Sequence, residues 1–104
     1  MYTPEKIDYE LIDSCFIPEY ARSPLMRALS YLPENVIDFV IESCVFISLD
    51  KDDRGEHIAT NDFRLKDKLG LIILSDRLWF KDKKKIAFVV AHEVAHAYKK
   101  HEFK

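Results

Sequence analysis

Apolar residues recur at helical spacing in three parts of the chain. The first follows Ser23-Pro24, which has the form of an N-cap and a proline at the first helical position. In residues 34–44, apolar side chains at i, i+1, i+4, i+5 and i+8 form one stripe, with acidic residues off it. The third part follows Asp82, a candidate N-cap. This pattern predicts helices over about 24–32, 34–44 and 83–100.

The first 22 residues lack a clear periodicity, because Pro4 and Pro18 interrupt it. We interpret residues 1–22 as a leader segment that packs onto the domain. A chain of 104 residues is one domain's worth, so we expect a single domain over residues 1–104.

Three short runs predict β-strands: Val45 to Leu49, His57 to Thr60 and Leu69 to Leu74. Because residues 50–55 form a turn-like string between the first two runs, those runs are candidates for a hairpin. The third run is continuously apolar, which suits a strand covered on both faces. Asp76 to Phe80 is expected to form one helical turn. The predicted fold class is α+β, with N-terminal helices and a sheet of about three strands packed on the C-terminal helix.

Composition and charge narrow the class of protein. The chain is 48% hydrophobic and 33% charged, which is typical of a globular domain, and its net charge of −2 gives no field that would attract nucleic acid. No run approaches the length of a membrane span, and the acidic N-terminus does not resemble a secretory signal. Cys15 and Cys44 lack CxxC spacing and suit small buried residues in a reducing compartment. We therefore expect a cytoplasmic protein without membrane or nucleic-acid partners, and the oligomeric state stays open.

One possible metal loop fails on its spacing. Asp50, Asp52 and Gly55 match the first, third and sixth places of a calcium loop. Arg54 and Asn61 stand at the fifth and twelfth places, where calcium ligands are required. The segment is predicted to be a charged turn.

The candidate chemistry lies in the C-terminal helix, in the sequence His92-Glu93-Val94-Ala95-His96. On a helix the two histidines are one turn apart on one face, so both imidazoles can reach one ion, and Glu93 stands beside them. This HExxH arrangement predicts that His92 and His96 bind Zn²⁺ while Glu93 acts as general base on water. The apolar flanks suggest a buried helix. The alternative is that the histidines are satisfied core residues and that Glu93 pairs with Lys99 or Lys100 at the surface.

The stretch Leu71 to Ser75, followed by Phe88 to Tyr98, resembles the edge strand and active-site helix of zincin-like metallopeptidases. It is most similar to the small ImmA/IrrE-like group, and more loosely to the SprT-like and M48-like groups. The resemblance implies an α+β zincin-like domain, with His92 and His96 as zinc ligands and Glu93 as the catalytic base. It also implies a peptide or protein substrate that adds as a strand at the sheet edge, for which Leu71 and Ile73 are the candidate contacts.

The third zinc ligand is the open point of this prediction, because catalytic zinc sites have three protein ligands. His101 is the first candidate, although on a continuous helix it lies about 180° around the axis from His92, so the helix would have to break near Lys99. Glu102 and His57 are further candidates. The remaining alternative is a domain that is incomplete at its C-terminus, with the third ligand further downstream.

Two functions are therefore compatible with the sequence. The first is a zinc-dependent metallopeptidase that hydrolyses peptide bonds. The second is a non-catalytic zinc-binding or protein-interaction module that keeps the helix of a degenerate or truncated peptidase.

Overall fold

Helices and a mixed sheet alternate along the chain in a computed structural model that describes residues 1–49, 56–59 and 70–102. The elements are α1 (Pro4–Glu10), β1 (Cys15–Phe16), α2 (Glu19–Ser30), α3 (Glu34–Ser43), β2 (Cys44–Leu49), β3 (Glu56–Ala59), β4 (Gly70–Ser75), a 3₁₀ turn (Asp76–Phe80) and α4 (Lys83–Glu102). The α+β class is confirmed, as are α3, the three predicted strands, the helical turn and α4. The predicted charged turn at residues 50–55 lies outside the described residues.

The sheet has four strands in the order β1-β2-β4-β3, so it contains one strand more than predicted. β1, β2 and β4 are parallel, and β3 pairs antiparallel with β4. All six residues of β4 are buried, as expected for a strand covered on both faces. This apolar strand therefore takes an interior position in the described sheet.

Two predictions about the sheet are wrong. The described β2 and β3 do not form a hairpin, because both pair with β4 instead of with each other. Leu71 and Ile73 do not lie on an edge strand, because Val45 and Ile47 of β2 pair with them on one side and β3 covers the other. The physical reason is the polarity of the strands: continuously apolar β4 is buried between neighbours, whereas β3, which begins Glu56-His57, lies outermost.

The N-terminal segment packs onto the domain, but it is regular structure and not an irregular leader. The side chain of Thr3 accepts a hydrogen bond from the amide of Lys6 at 3.2 Å and caps α1, so Pro4 begins the helix and does not interrupt it. Ile7 and Leu11 are fully buried. The cap and the burial of Ile7 and Leu11 therefore stabilise α1. A helix of seven residues is too short to show a clear apolar periodicity in the sequence.

The predicted start of α2 at Ser23-Pro24 is also wrong, since the helix begins at Glu19 and carries Pro24 inside it. The carbonyl of Pro18 already accepts a hydrogen bond from the amide of Ala21 at 2.9 Å, which forms the first turn. Pro24 lacks an amide hydrogen and costs one backbone hydrogen bond. Burial of Leu25 and Met26 next to it offsets that cost.

The main core lies between one face of the sheet and the helices. Phe46 and Ile72, which pair in register, are fully buried and belong to the same cluster as Val90 and Val94 of α4. Packing of this kind holds α4 against the sheet, and it therefore fixes which face of α4 is left to the solvent.

The connection between β4 and α4 is anchored by a polar network. The Ser48 hydroxyl donates to Asp76 and accepts a hydrogen bond from the indole nitrogen of Trp79 at 2.9 Å. Trp79 itself is buried. Because these bonds tie the 3₁₀ turn to β2, the residue at which α4 begins is fixed relative to the sheet.

Cys15 and Cys44 are both buried and do not form a disulfide, consistent with the prediction of small core residues. Among the described helices, none is both long and apolar enough to cross a bilayer.

Tyr2 offers a test of how the N-terminus is fastened. Its hydroxyl donates to the carboxylate of Asp38, and this bond raises the pKa of Tyr2 to about 12. Because the pKa is raised in the folded state, the bond makes its full contribution to stability at pH values below the ordinary tyrosine pKa of about 10. This contribution is lost as the pH rises towards 12. In an NMR titration assigned with Tyr2→Phe, we expect Tyr2 to stay protonated at pH 11 and to titrate near 10 in Asp38→Asn. An unchanged titration in Asp38→Asn would contradict the assignment.

Candidate metal centre

α4 presents one buried and one exposed face, and this division determines where its ionisable residues lie. The helix is capped by Asp82, whose carboxylate accepts from the amide of Lys85 at 2.8 Å. Its buried face is formed by Ile86, Val89, Val90, Val94 and Ala97. The expectation of a helix buried all round is thus wrong, since Phe88 is 66% exposed on the opposite side.

His92 and His96 lie side by side on the exposed face. Their Nε2 atoms are 3.1 Å apart, and their rings meet edge to face with centroids 4.5 Å apart. The i, i+4 spacing brings the two side chains to the same level of the helix surface, as predicted. The Nε2 atoms of the two imidazoles therefore lie within hydrogen-bond distance of each other on the exposed face of α4.

This separation can be compared with what a zinc ion requires. Two imidazole nitrogens at 2.0–2.1 Å from a tetrahedral ion are about 3.3 Å apart. The observed 3.1 Å between His92 Nε2 and His96 Nε2 is close to that value. The distance between the two nitrogens is therefore within about 0.2 Å of the separation that two imidazole ligands of one tetrahedral zinc require.

Glu93 has a different environment from the histidines beside it. It lies three residues after Val90 and four before Ala97, on the buried stripe, and is only 8% exposed. A carboxylate in such a position is costly unless a cation or a hydrogen-bond donor compensates it. In the described part of the chain no ion pair involves Glu93.

These positions contradict the alternative that the two histidines are core residues and that Glu93 pairs with Lys99. His92 and His96 are exposed, so they are not core histidines. Glu93 is buried and does not pair with Lys99 at the surface. Lys100 has no described side chain.

The third ligand is not fixed by the described residues, among which no group of three metal-binding side chains occurs. The backbone of α4 is helical through Glu102, so the helix break that the His101 prediction requires is not present. His57 lies on β3, in register with Ile72, on a strand that contacts α4. The side chains of His57, His101 and Glu102 lie outside the described residues.

Phe88 lies in the apolar flank of the HExxH motif and contacts His92. Its ring stacks on His92, with centroids 6.0 Å apart and planes inclined by 20°. The spacing i, i+4 to His92 is the signal that could have identified it. The contact restricts the orientation of the His92 imidazole, which is useful for a metal ligand.

An apolar cavity of about 310 Å³ lies between α4 and the segment that leads into α3. α4 contributes Ala91 and Ala95, each directly preceding one of the histidines, together with Val94 and Tyr98, and the segment before and into α3 contributes Leu32, Pro33 and Val36. Tyr98 is positioned by a hydrogen bond from Asn35 at 3.2 Å and by an edge contact with Phe39. The surface next to the histidines can therefore receive an apolar side chain.

Comparisons with known proteins give no relative: no family model matches the chain, and neither does any curated protein or solved structure. The geometry of His92, Glu93 and His96 on α4 is therefore the basis for a functional proposal.

Proposed function

We propose that the protein is a zinc-dependent metallopeptidase in which His92 and His96 hold the ion and Glu93 is the general base. The observation that carries this proposal is the combination, on one turn of α4, of two exposed Nε2 atoms 3.1 Å apart with a neighbouring buried carboxylate. A zincin-like fold of the ImmA/IrrE-like group is part of the proposal, since the sequence resemblance is accompanied by a mixed sheet over a C-terminal HExxH helix.

The residues divide the chemistry between them. A zinc ion, when bound, supplies Lewis acidity that polarises the substrate carbonyl and makes water more acidic. Glu93 takes a proton from the attacking water and passes it to the amine that leaves. Glu93 is only 8% exposed, so bulk water has little access to its carboxylate.

The substrate would be a peptide segment with an extended backbone. β3 is the outermost strand beside β4 and contacts α4, so it replaces Leu71 and Ile73 as the candidate for strand addition. An apolar residue of the substrate would enter the cavity next to Ala91 and Ala95.

A chelation experiment tests this proposal. We expect zinc-loaded protein to cleave a mixed fluorogenic peptide library, to lose activity in a chelator, and to regain it on addition of zinc but not of magnesium, which prefers oxygen ligands. Stoichiometric zinc without cleavage of any library member would refute the peptidase and favour the non-catalytic zinc-binding module.

A further inference from the structure

A second candidate site lies at the opposite end of α4 from the histidine pair. It is a cleft of about 190 Å³ between α2 and the start of α4. Arg27, Lys81 and Lys83 line it, together with Tyr31 and Trp79, and no carboxylate does. We propose that this basic cleft binds the phosphate or diphosphate group of a small molecule.

The charge of the cleft is the first argument. In the described part of the chain neither Arg27 nor Lys83 pairs with an acidic side chain. The whole chain carries a net charge of −2, so Arg27 and Lys83 on two sides of one cleft are a local departure from the average. A cleft lined by one sign of charge with apolar walls focuses its field and concentrates counter-ions.

The floor of the cleft supplies such walls. Trp79 and Ile86 are 7% and 6% exposed, and both line it, whereas Arg27, Lys81 and Lys83 are exposed around them. An anion bound here has one side against apolar groups, which reduces the screening of its attraction to the cations.

The ligand class follows from the number and arrangement of the cations. Arg27 comes from α2, while Lys81 and Lys83 come from the other wall, so the donors approach an anion from two directions. A phosphate group carries close to two negative charges and three acceptor oxygens, and guanidinium binds it through two parallel hydrogen bonds. The volume of 190 Å³ equals about six water molecules, enough for a diphosphate or for a phosphate with a small organic group.

The backbone of α4 is not the source of the site. The amide of Lys85 already donates a hydrogen bond to the carboxylate of Asp82. The attraction for the anion therefore comes from the side chains on both walls of the cleft.

Trp79 provides the measurement, because it is the only tryptophan of the chain and lies in the cleft. We would titrate protein prepared without added metal with inorganic pyrophosphate at constant ionic strength, following Trp79 fluorescence and confirming the affinity by calorimetry. We expect a saturable change in the millimolar range or below, and binding of citrate, a carboxylate anion of similar charge, at least about tenfold weaker.

Variants locate the binding. Lys83→Gln and Arg27→Gln should each weaken pyrophosphate binding about tenfold, the size expected for one charge-assisted hydrogen bond. Lys99→Gln removes the same charge about 24 Å further along α4 and should change the affinity less than twofold. Lys83 is exposed, so its variant should fold normally. The proposal is overturned if no saturable change occurs, if citrate binds as well as pyrophosphate, or if Lys99→Gln has the effect of Lys83→Gln.

Discussion

Replacing Glu93 with glutamine is expected to reduce peptide cleavage by about 10²–10⁴-fold, the usual contribution of a general base. Glutamine keeps the shape of the side chain and its place on the buried stripe, but it cannot accept the proton of water. Zinc content should stay unchanged, because the carboxylate is not proposed to be a ligand. The measurement is kcat/KM on a peptide selected from the library, with zinc determined by elemental analysis of the same samples.

The melting temperature of Glu93→Gln distinguishes a catalytic role of Glu93 from a structural one. Since glutamine replaces a nearly buried charge with a neutral group, we expect the Tm of Glu93→Gln to equal or exceed that of the wild type. Glu42→Gln is the matched control, an identical change at an exposed position of α3, and should retain full activity. Cleavage by Glu93→Gln at the wild-type rate would remove Glu93 from the mechanism.

Loss of either histidine should remove the metal. We expect His92→Ala and His96→Ala each to weaken zinc binding by more than about a hundredfold, since even residues that only support a ligand contribute about 10–100-fold. Titration against a chromophoric chelator of known affinity gives the dissociation constants. Full zinc occupancy in the double variant would show that the ion binds elsewhere.

The remaining histidines give an internal comparison. The chain has four histidines, and the other two, His57 and His101, are candidates for the third ligand. If one of them is that ligand, its alanine variant will lose affinity while the other binds zinc normally. The register of β3 and the unbroken backbone of α4 lead us to expect the larger loss for His57.

The parts of the fold that were predictable are those in which local pattern and tertiary environment agree. The spacing of apolar residues predicts which faces of α3 and β4 are buried, and the structure buries those faces. β1 was missed because a two-residue strand has no period, and it exists through pairing with Phe46 and Ile47, far away in sequence. The order of the strands was not readable either, since a turn-like string does not specify which strand pairs with which.

The candidate site was predictable in its identity but not in its surroundings. The i, i+4 spacing alone brings His92 and His96 together, because helix geometry is local. Which of the neighbours are exposed depends on how α4 packs on the sheet and on α2. The exposure of Phe88 and the burial of Glu93 could therefore not be inferred from the apolar flanks, which look similar on all sides of the helix.

The strand order also has a consequence for how the chain folds. β2 and β4 pair from Cys44 with Gly70 onwards, so their contact closes a loop of about 26 residues before any of its hydrogen bonds form. β3 lies within that loop and has its described partner only in β4, so it cannot join the sheet before β4 does. Parallel pairing over such a distance is slow compared with helix formation. The helices are thus expected to form early, and β3 is expected to join the sheet only after β2 and β4 have paired.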